Sequence, residues 1–388
     1  MSSTRVQPDD PVSLLAALIR CPSVTPEPAG VLDLLRDWLA GLGFAVELVA
    51  FEGDGSYRVE NLFATRGETG PHLLFAGHTD VVPPGDAAAW THPPFAAEAA
   101  DGRLYGRGAA DMKSGVAAFV AAAAAAIAAG AAETGRISLA ITNDEEADGI
   151  NGTQKLMAWA TERGHRFDFA IVGEPSSAAR VGDSIKIGRR GSLNAEITVT
   201  GVQGHVAYPE KARNPLPLLA EIVTELSGPL DGGSAAFPPS NLEFTSLDVG
   251  NPVANVIPGA ARARLNVRFN DGWTPESLAA HLRTRLAEIA GPAAALTVLG
   301  RPSRSFLSPT GGALELLATT IAAETGSRPQ FSTGGGTSDA RFIAPYCPVA
   351  EFGIVGPTMH QVDESIALAD LAALTALYRR FIVRFLAA

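Results

Sequence analysis

Residues 116–132 read VAAFVAAAAAAIAAGAA. A run this apolar must be buried somewhere, and it stops only a little short of the about 20 residues that cross a bilayer. Alanine dominates it, however, and Lys113 and Glu133 stand close to its ends. Alanine is the strongest helix former and carries the least bulk, so these residues favour a helix pressed tightly against a sheet over a membrane span. The rest of the chain then has to supply that sheet.

It does so by alternation. Strand-like runs at 44–50, 57–66 and 72–77 precede the alanine helix. Another run at 136–143, a helix over 152–164 and the apolar FDFAIVGEP at 167–175 follow it. Short β-branched or aromatic runs separated by helices predict a mixed or parallel sheet with helices on its faces, an α/β core. From about residue 190 the pattern changes. SLNAEITVTG, NLEFTSLDVG and ARARLNVRFN alternate with period two, with helices predicted over 215–227 and about 274–290. Half-exposed strands with two helices make a smaller α+β unit, inserted because the chain afterwards returns to helix, glycine-rich loop, strand and helix. The expected domains are 1–190 with 303–388, and 191–302. Two domains also suit 388 residues, more than one core usually holds.

A net charge of −11 without any Lys/Arg run argues against binding nucleic acid or an anionic membrane. An anionic ligand must therefore meet local positive charge. Near the N-terminus, Pro8, Asp9 and Asp10 interrupt what a secretory leader would keep apolar. Cys21 and Cys347 alone imply no disulfide framework. The expected setting is cytoplasmic.

The run LLFAGHTDVV, residues 73–82, ends a buried strand in His78 and Asp80. Positions i and i+2 of an extended chain face one side, so the two could address one locus. For this pair alone, a loop histidine capped by a nearby carboxylate is the favoured reading. Other segments weigh against it: GRGAADMKSG before the alanine helix, NDEEADG after 136–142, GEP after 167–172 and GPTMHQVDE after the last strand. Carboxyl ends of strands in α/β folds converge on one crevice. A sulfur-free set of carboxylates and two histidines suits zinc or a similar divalent ion, and an aspartate can bridge two of them. A serine nucleophile has weaker support, because Ser192 and Ser338 lack a G-x-S-x-G context. The TGGGT run lacks the Lys continuation of a phosphate loop.

The segments GHTDVVPPGD, DGRLYGRGAADMK, DEEADGINGT, IVGEPSS, IGRRGS, GHVAYPEKARNP, NVIPG, STGGGTSDARFIA and MHQVDES resemble the dinuclear-zinc aminoacylase/carboxypeptidase metallopeptidase clan. Within it they resemble the succinyl-diaminopimelate desuccinylase branch, over about residues 10–380. The resemblance implies a mixed-sheet zinc-hydrolase domain with an inserted ferredoxin-like α+β domain that dimerises. It implies two Zn²⁺ per subunit, with Co²⁺ or Mn²⁺ able to substitute. His78 and Glu174 would hold one ion, Glu146 and His360 the other, and Asp111 would bridge them. Asp80 would hydrogen-bond the far nitrogen of His78, and Glu145 would be the general base. Asp111–Met112 would be a cis peptide. Arg189, Ser192, His205, Tyr208, Asn255, Arg268, Gly336 and Thr337 would bind substrate, His205 by reaching the partner subunit's site. The implied reaction is hydrolysis of N-succinyl-LL-2,6-diaminopimelate by a zinc-activated water. The alternatives are acetylornithine deacetylation or action on another N-acyl amino acid, and a scaffold relative without chemistry.

Overall fold

Every residue of the strand His72–His78 is buried, which requires cover on both faces of its sheet. The computed structural model, which describes residues 9–388 and at 132 the backbone alone, provides it. The part of the leader-peptide argument that rests on residues 1–8 lies outside the described residues. The strand belongs to an eight-stranded mixed sheet in the order Ala45–Gly53, Ser56–Arg66, Arg136–Thr142, His72–His78, Phe169–Val172, Val349–Glu351, Ser184–Lys186, Gln330–Ser332. Arg136–Thr142 and Phe169–Val172 flank it in parallel, with His78 opposite Thr142 and Ala76 opposite Val172. Three strands therefore finish nearly level, and the loops carrying Asp80, Glu145–Glu146 and Glu174 leave the sheet together.

The alanine run forms the helix Ser114–Ala128, buried along most of its length. A Cβ at Gly115 would stand 2.2 Å from the carbonyl oxygen of Gly173. Only glycine allows this close approach of helix start to strand end. Among the described residues, Ala109–Ala128 is the one helical stretch long and apolar enough to cross a membrane, and most of it is buried inside the protein. It is a core helix, with Leu371, Leu374, Tyr378 and Phe381 of the terminal helix Leu368–Leu386 in the same core.

The chain divides into two compact units: Gly188–Leu307 with Thr333–Thr337, and the remaining described residues. The divisions fall at 187/188 and 307/308 rather than at the expected 190/191 and 302/303. The reason is local: Gly188–Arg189 pairs antiparallel with Phe306–Leu307, so both ends of the insert belong to the second unit as a two-stranded pair. The excursion 333–337 was not foreseen either. Arg189 Nη1 donates to the carbonyls of Gly334 and Gly336, which ties that loop to the second unit.

The second unit is a five-stranded antiparallel sheet ordered Gly228–Pro229, Asn241–Asp248, Ala260–Phe269, Gly191–Thr200, Ala294–Ser303. Its four long strands and the helices Pro215–Leu226 and Pro275–Ala290 run in the β-α-β-β-α-β succession of ferredoxin-like folds. Leu193, Ala195, Ile197 and Val199 enter one core with Leu219, Ile222, Leu278 and Leu282 of the two helices. The period-two alternation thus reports one buried face. Thr274 and Ser277 cap the second helix reciprocally, fixing where it starts.

Candidate metal centre

His78 is the last residue of its strand, and Glu174 lies two residues beyond Phe169–Val172. Glu145 and Glu146 follow Arg136–Thr142 in a loop. Asp111 sits in the irregular turn Ala109–Lys113, where it and Met112 have non-helical backbone angles and the Asp111–Met112 peptide is cis. His360 occupies a loop with φ +62°, a strained conformation for a non-glycine residue.

These side chains converge within the first unit. Asp111 Oδ1 lies 3.2 Å from His78 Nε2, and Oδ2 lies 3.3 Å from His360 Nε2. His78 Nε2 is 3.7 Å from Glu174 Oε1, and His360 Nε2 is 3.0 Å from Glu146 Oε1. One carboxylate thus addresses two histidines with separate oxygens, and each histidine has its own glutamate. Donor atoms of His78, Glu145 and Glu174 also lie within 4.8 Å of one another, so Glu145 borders the His78 side.

Asp80 departs from its expected contact. The far nitrogen of His78, Nδ1, is 2.9 Å from the backbone carbonyl of Asp80 and 3.5 Å from its carboxylate. A carbonyl can only accept, so Nδ1 carries a proton, and Nε2, on the side of Asp111 and Glu174, is the nitrogen left to ligate a metal. The carboxylate also engages the neighbouring loop. It accepts from Thr25 Oγ1 at 2.8 Å, from the Glu145 N–H at 3.1 Å and from the Glu146 N–H at 3.0 Å. Asp80 therefore shapes the glutamate loop as well as backing the histidine.

Sequence reasoning missed several supports. Tyr57 donates to Asp144 at 2.5 Å, pinning the outer side of the same loop. Lys113, fully buried, donates to the carbonyls of Leu18 and Cys21. Glu364 and Arg107 form a buried ion pair at 2.7 Å. Glu364 falls within the quoted MHQVDES and Arg107 within DGRLYGRGAADMK, which is the one signal that pointed to them.

Electrostatics test whether cations fit. Burial opposes charging His78, yet Asp111, Asp80 and Glu174 outweigh it and raise its pKa well above the usual value. Hydrogen bonds to Asp111 and Glu146 lift His360 to about 10. Burial would raise Asp111, but His360 and His78 hold its carboxyl below the usual range. Burial and Glu174 push Glu145 well above it. Five carboxylates face two imidazoles, and the cluster draws in positive charge. Divalent ions match both that demand and an oxygen–nitrogen donor set lacking sulfur.

Within the second unit the remaining expected residues form three groups. Arg189, largely buried, holds the glycine loop that contains Gly336 and Thr337. Ser192 and Arg268 are register partners on adjacent strands, and Asn266 donates to Ser192 Oγ at 3.1 Å. His205 lies beside Tyr208, ring centres 5.8 Å apart, and the Asn255 carbonyl accepts from Val206 N–H. As for the serine alternative, Ser338 Oγ donates to buried Glu351 in the first unit.

A family model described as Peptidase family M20/M25/M40 matches residues 74–384. The chain is 54% identical over 380 residues to succinyl-diaminopimelate desuccinylase of Rhodopseudomonas palustris (strain TIE-1), covering 97% of this chain and 98% of the relative. It is 54% identical over 379 residues to the protein of the same name from Rhodospirillum centenum, covering 97% and 98%. Among solved structures, an M20 family metallo-carboxypeptidase from Sulfolobus solfataricus aligns over 98% of this chain and 100% of its own with a TM-score of 0.79. At 16% identity, that likeness speaks for the fold.

Proposed function

Because the chain belongs to peptidase family M20/M25/M40, we propose that it hydrolyses N-succinyl-LL-2,6-diaminopimelate to succinate and LL-2,6-diaminopimelate, a step of lysine and diaminopimelate biosynthesis. The observation that carries the reading is near-full-length identity to curated desuccinylases.

The arrangement of donors supports two zinc ions per chain, one among His78, Glu174 and Asp111 and the other among Glu146, His360 and Asp111, with cobalt or manganese able to substitute. Bound there, they would polarise the scissile carbonyl and make the attacking water more acidic. Glu145 takes the proton from that water and returns it to the departing amine. Asp80 holds the Glu145 and Glu146 amides, and its carbonyl keeps the proton of His78 on Nδ1. Arg189, Ser192, Tyr208, Asn255, Arg268, Gly336 and Thr337 bind the substrate's carboxylates and amines, guanidinium groups being suited to paired contacts with carboxylate.

We further read the inserted unit, near 191–302, as a dimerisation module through which His205 serves the partner's site. The strand Asn241–Asp248 has Gly228–Pro229 beside only its first two residues, so most of that edge is open to pairing across a two-fold axis. Leu247, Val202, Val206 and Val253 are exposed in the same unit. A cytoplasmic setting is supported by two free cysteines.

Purified zinc-loaded protein assayed on N-succinyl-LL-2,6-diaminopimelate and N-acetylornithine tests the activity. Preference for the succinyl substrate is expected; preference for N-acetylornithine would overturn it.

A further inference from the structure

The two metal positions are built from unlike materials. His78 ends a wholly buried strand, and Glu174 stands two residues past another. Glu146 and His360 lie on loops, and His360 is exposed while His78 is not. The loop 360–364 also contains two non-glycine residues at positive φ, His360 at +62° and Asp363 at +56°. A loop of that kind keeps its shape only if its surroundings over-determine it.

Arg107 and Glu364 provide that constraint. Glu364 Oε1 accepts the N–H groups of Ala110 and Asp111 at 2.9 and 3.2 Å. Its Oε2 accepts Gly108 N–H at 3.1 Å and Arg107 Nη1 at 2.7 Å. From the other side, Arg107 donates to the carbonyls of Gln361 at 3.2 Å and His360 at 3.5 Å. Its guanidinium lies over the Trp90 ring, 5.1 Å from the centre. The pair therefore fastens the backbone of Asp111 to the backbone of His360. Attraction within a buried ion pair is largely offset by desolvation, so the distinctive effect of this one is geometric.

We propose that Arg107 and Glu364 are positioning residues chiefly for the Glu146–His360 metal position, setting the distance between Asp111 Oδ2 and His360 Nε2. The proposal rests on the two-metal reading above. The His78–Glu174 position shares Asp111, but its other two donors stand at strand ends, so it depends on the pair less.

Calorimetric titration of the chelated, metal-free protein with zinc chloride tests this. Unaltered protein takes up two equivalents. In Arg107→Lys and Glu364→Gln, the first equivalent is weakened much less than the second, which binds at least about tenfold more weakly, the usual effect of losing a ligand's support. In a His360→Ala background, Glu364→Gln costs the second site little more, because the side chain it positions is already gone. Arg107→Lys keeps a cation opposite Glu364, so it carries the test if Glu364→Gln does not fold. Equal weakening of both equivalents, an unchanged second equivalent, or a full additional loss from Glu364→Gln in the His360→Ala background each overturns the proposal. Lower urea stability of the metal-free variants with a wild-type titration would make the pair merely structural, which also overturns it. Uptake of fewer than two zinc ions by the unaltered protein would instead be a failure of the two-metal reading.

Discussion

Asp80 Oδ2 accepts the backbone N–H of Glu146 at 3.0 Å, so the residue two positions after one histidine fixes the loop that serves the other. The same carboxylate takes the Glu145 N–H and the Thr25 hydroxyl. In Asp80→Asn one of the two oxygens becomes an amide that cannot accept, and a donor is left facing a donor. Turnover at saturating zinc should fall by more than about tenfold, with weaker metal binding. Stopped assays on fully reconstituted protein check it, and unchanged turnover would remove Asp80 from the positioning role.

Glu145 and Glu146 are neighbours with different assignments. Glu145 lies near both His78 and Glu174, close enough to compete as a ligand, so the distinction is a real one. Glu145→Gln should lower kcat by roughly two orders of magnitude or more with metal content unchanged. Loss of metal, with turnover restored by excess zinc, would exchange the two roles.

Most of the candidate ligands were legible in the sequence because they stand at or just past a strand end or beside the alanine helix, where apolar runs stop at an acidic or histidine residue; His360, nine residues beyond Val349–Glu351, was found through the MHQVDES resemblance. Their supports were not. Arg107 and Glu364 bind backbone amides and carbonyls, and a sequence does not display which backbone groups will need partners. Thr25 reaches Asp80 from a segment remote in the chain. The strand Ala294–Ser303 was also missed, because Gly300 and Pro302 break its alternation and both residues ordinarily argue against a strand interior. So were the helices Pro11–Ile19 and Val31–Gly41, which carry no chemistry of their own.

His72 gives a pH dependence separate from the metal centre. Its Nδ1 donates to the Arg166 carbonyl at 2.7 Å and its Nε2 accepts from Ser138 Oγ at 2.8 Å. Burial, with Arg136 nearby, lowers its pKa from 6.5 to about 4. The unfolded chain then takes up a proton on this residue below about pH 6.5, while the folded chain resists until about pH 4. The stabilising contribution is complete above 6.5 and is lost as pH falls through that window, by up to about 3 kcal/mol. In urea melts, the stability gap between wild type and the non-titrating His72→Gln should shrink from pH 6.5 to 4. A gap constant with pH would contradict the assignment.

Subunit sharing predicts complementation. His205→Ala and Glu145→Gln should each be nearly inactive alone. If the partner's His205 completes each site, hybrid dimers contain one site with both residues intact. Mixing the variants under conditions of proven exchange should restore a fraction of activity, and no recovery would count against sharing.

If Arg189 and Arg268 bind the acyl carboxylate, replacing either tests which acyl group the protein prefers. Arg189 already holds the carbonyls of Gly334 and Gly336, so replacing it also loosens the loop. Arg268 follows the buried Val267 on its strand, so its side chain leaves from the opposite face, in register with Ser192 and Asn241. A succinyl amide carries a carboxylate at its tail and the diaminopimelate portion adds two more, whereas an acetyl tail carries none. A site built to pair a charge leaves its own groups unsatisfied when that charge is missing, so a preference of roughly a thousandfold in kcat/KM for succinyl over acetyl substrates is expected. Arg268→Met should erode succinyl turnover by about two orders of magnitude while barely altering residual acetyl turnover. Equal losses on both substrates would place Arg268 on the amino-acid portion, because only a contact with the succinyl tail can be absent from the acetyl substrate.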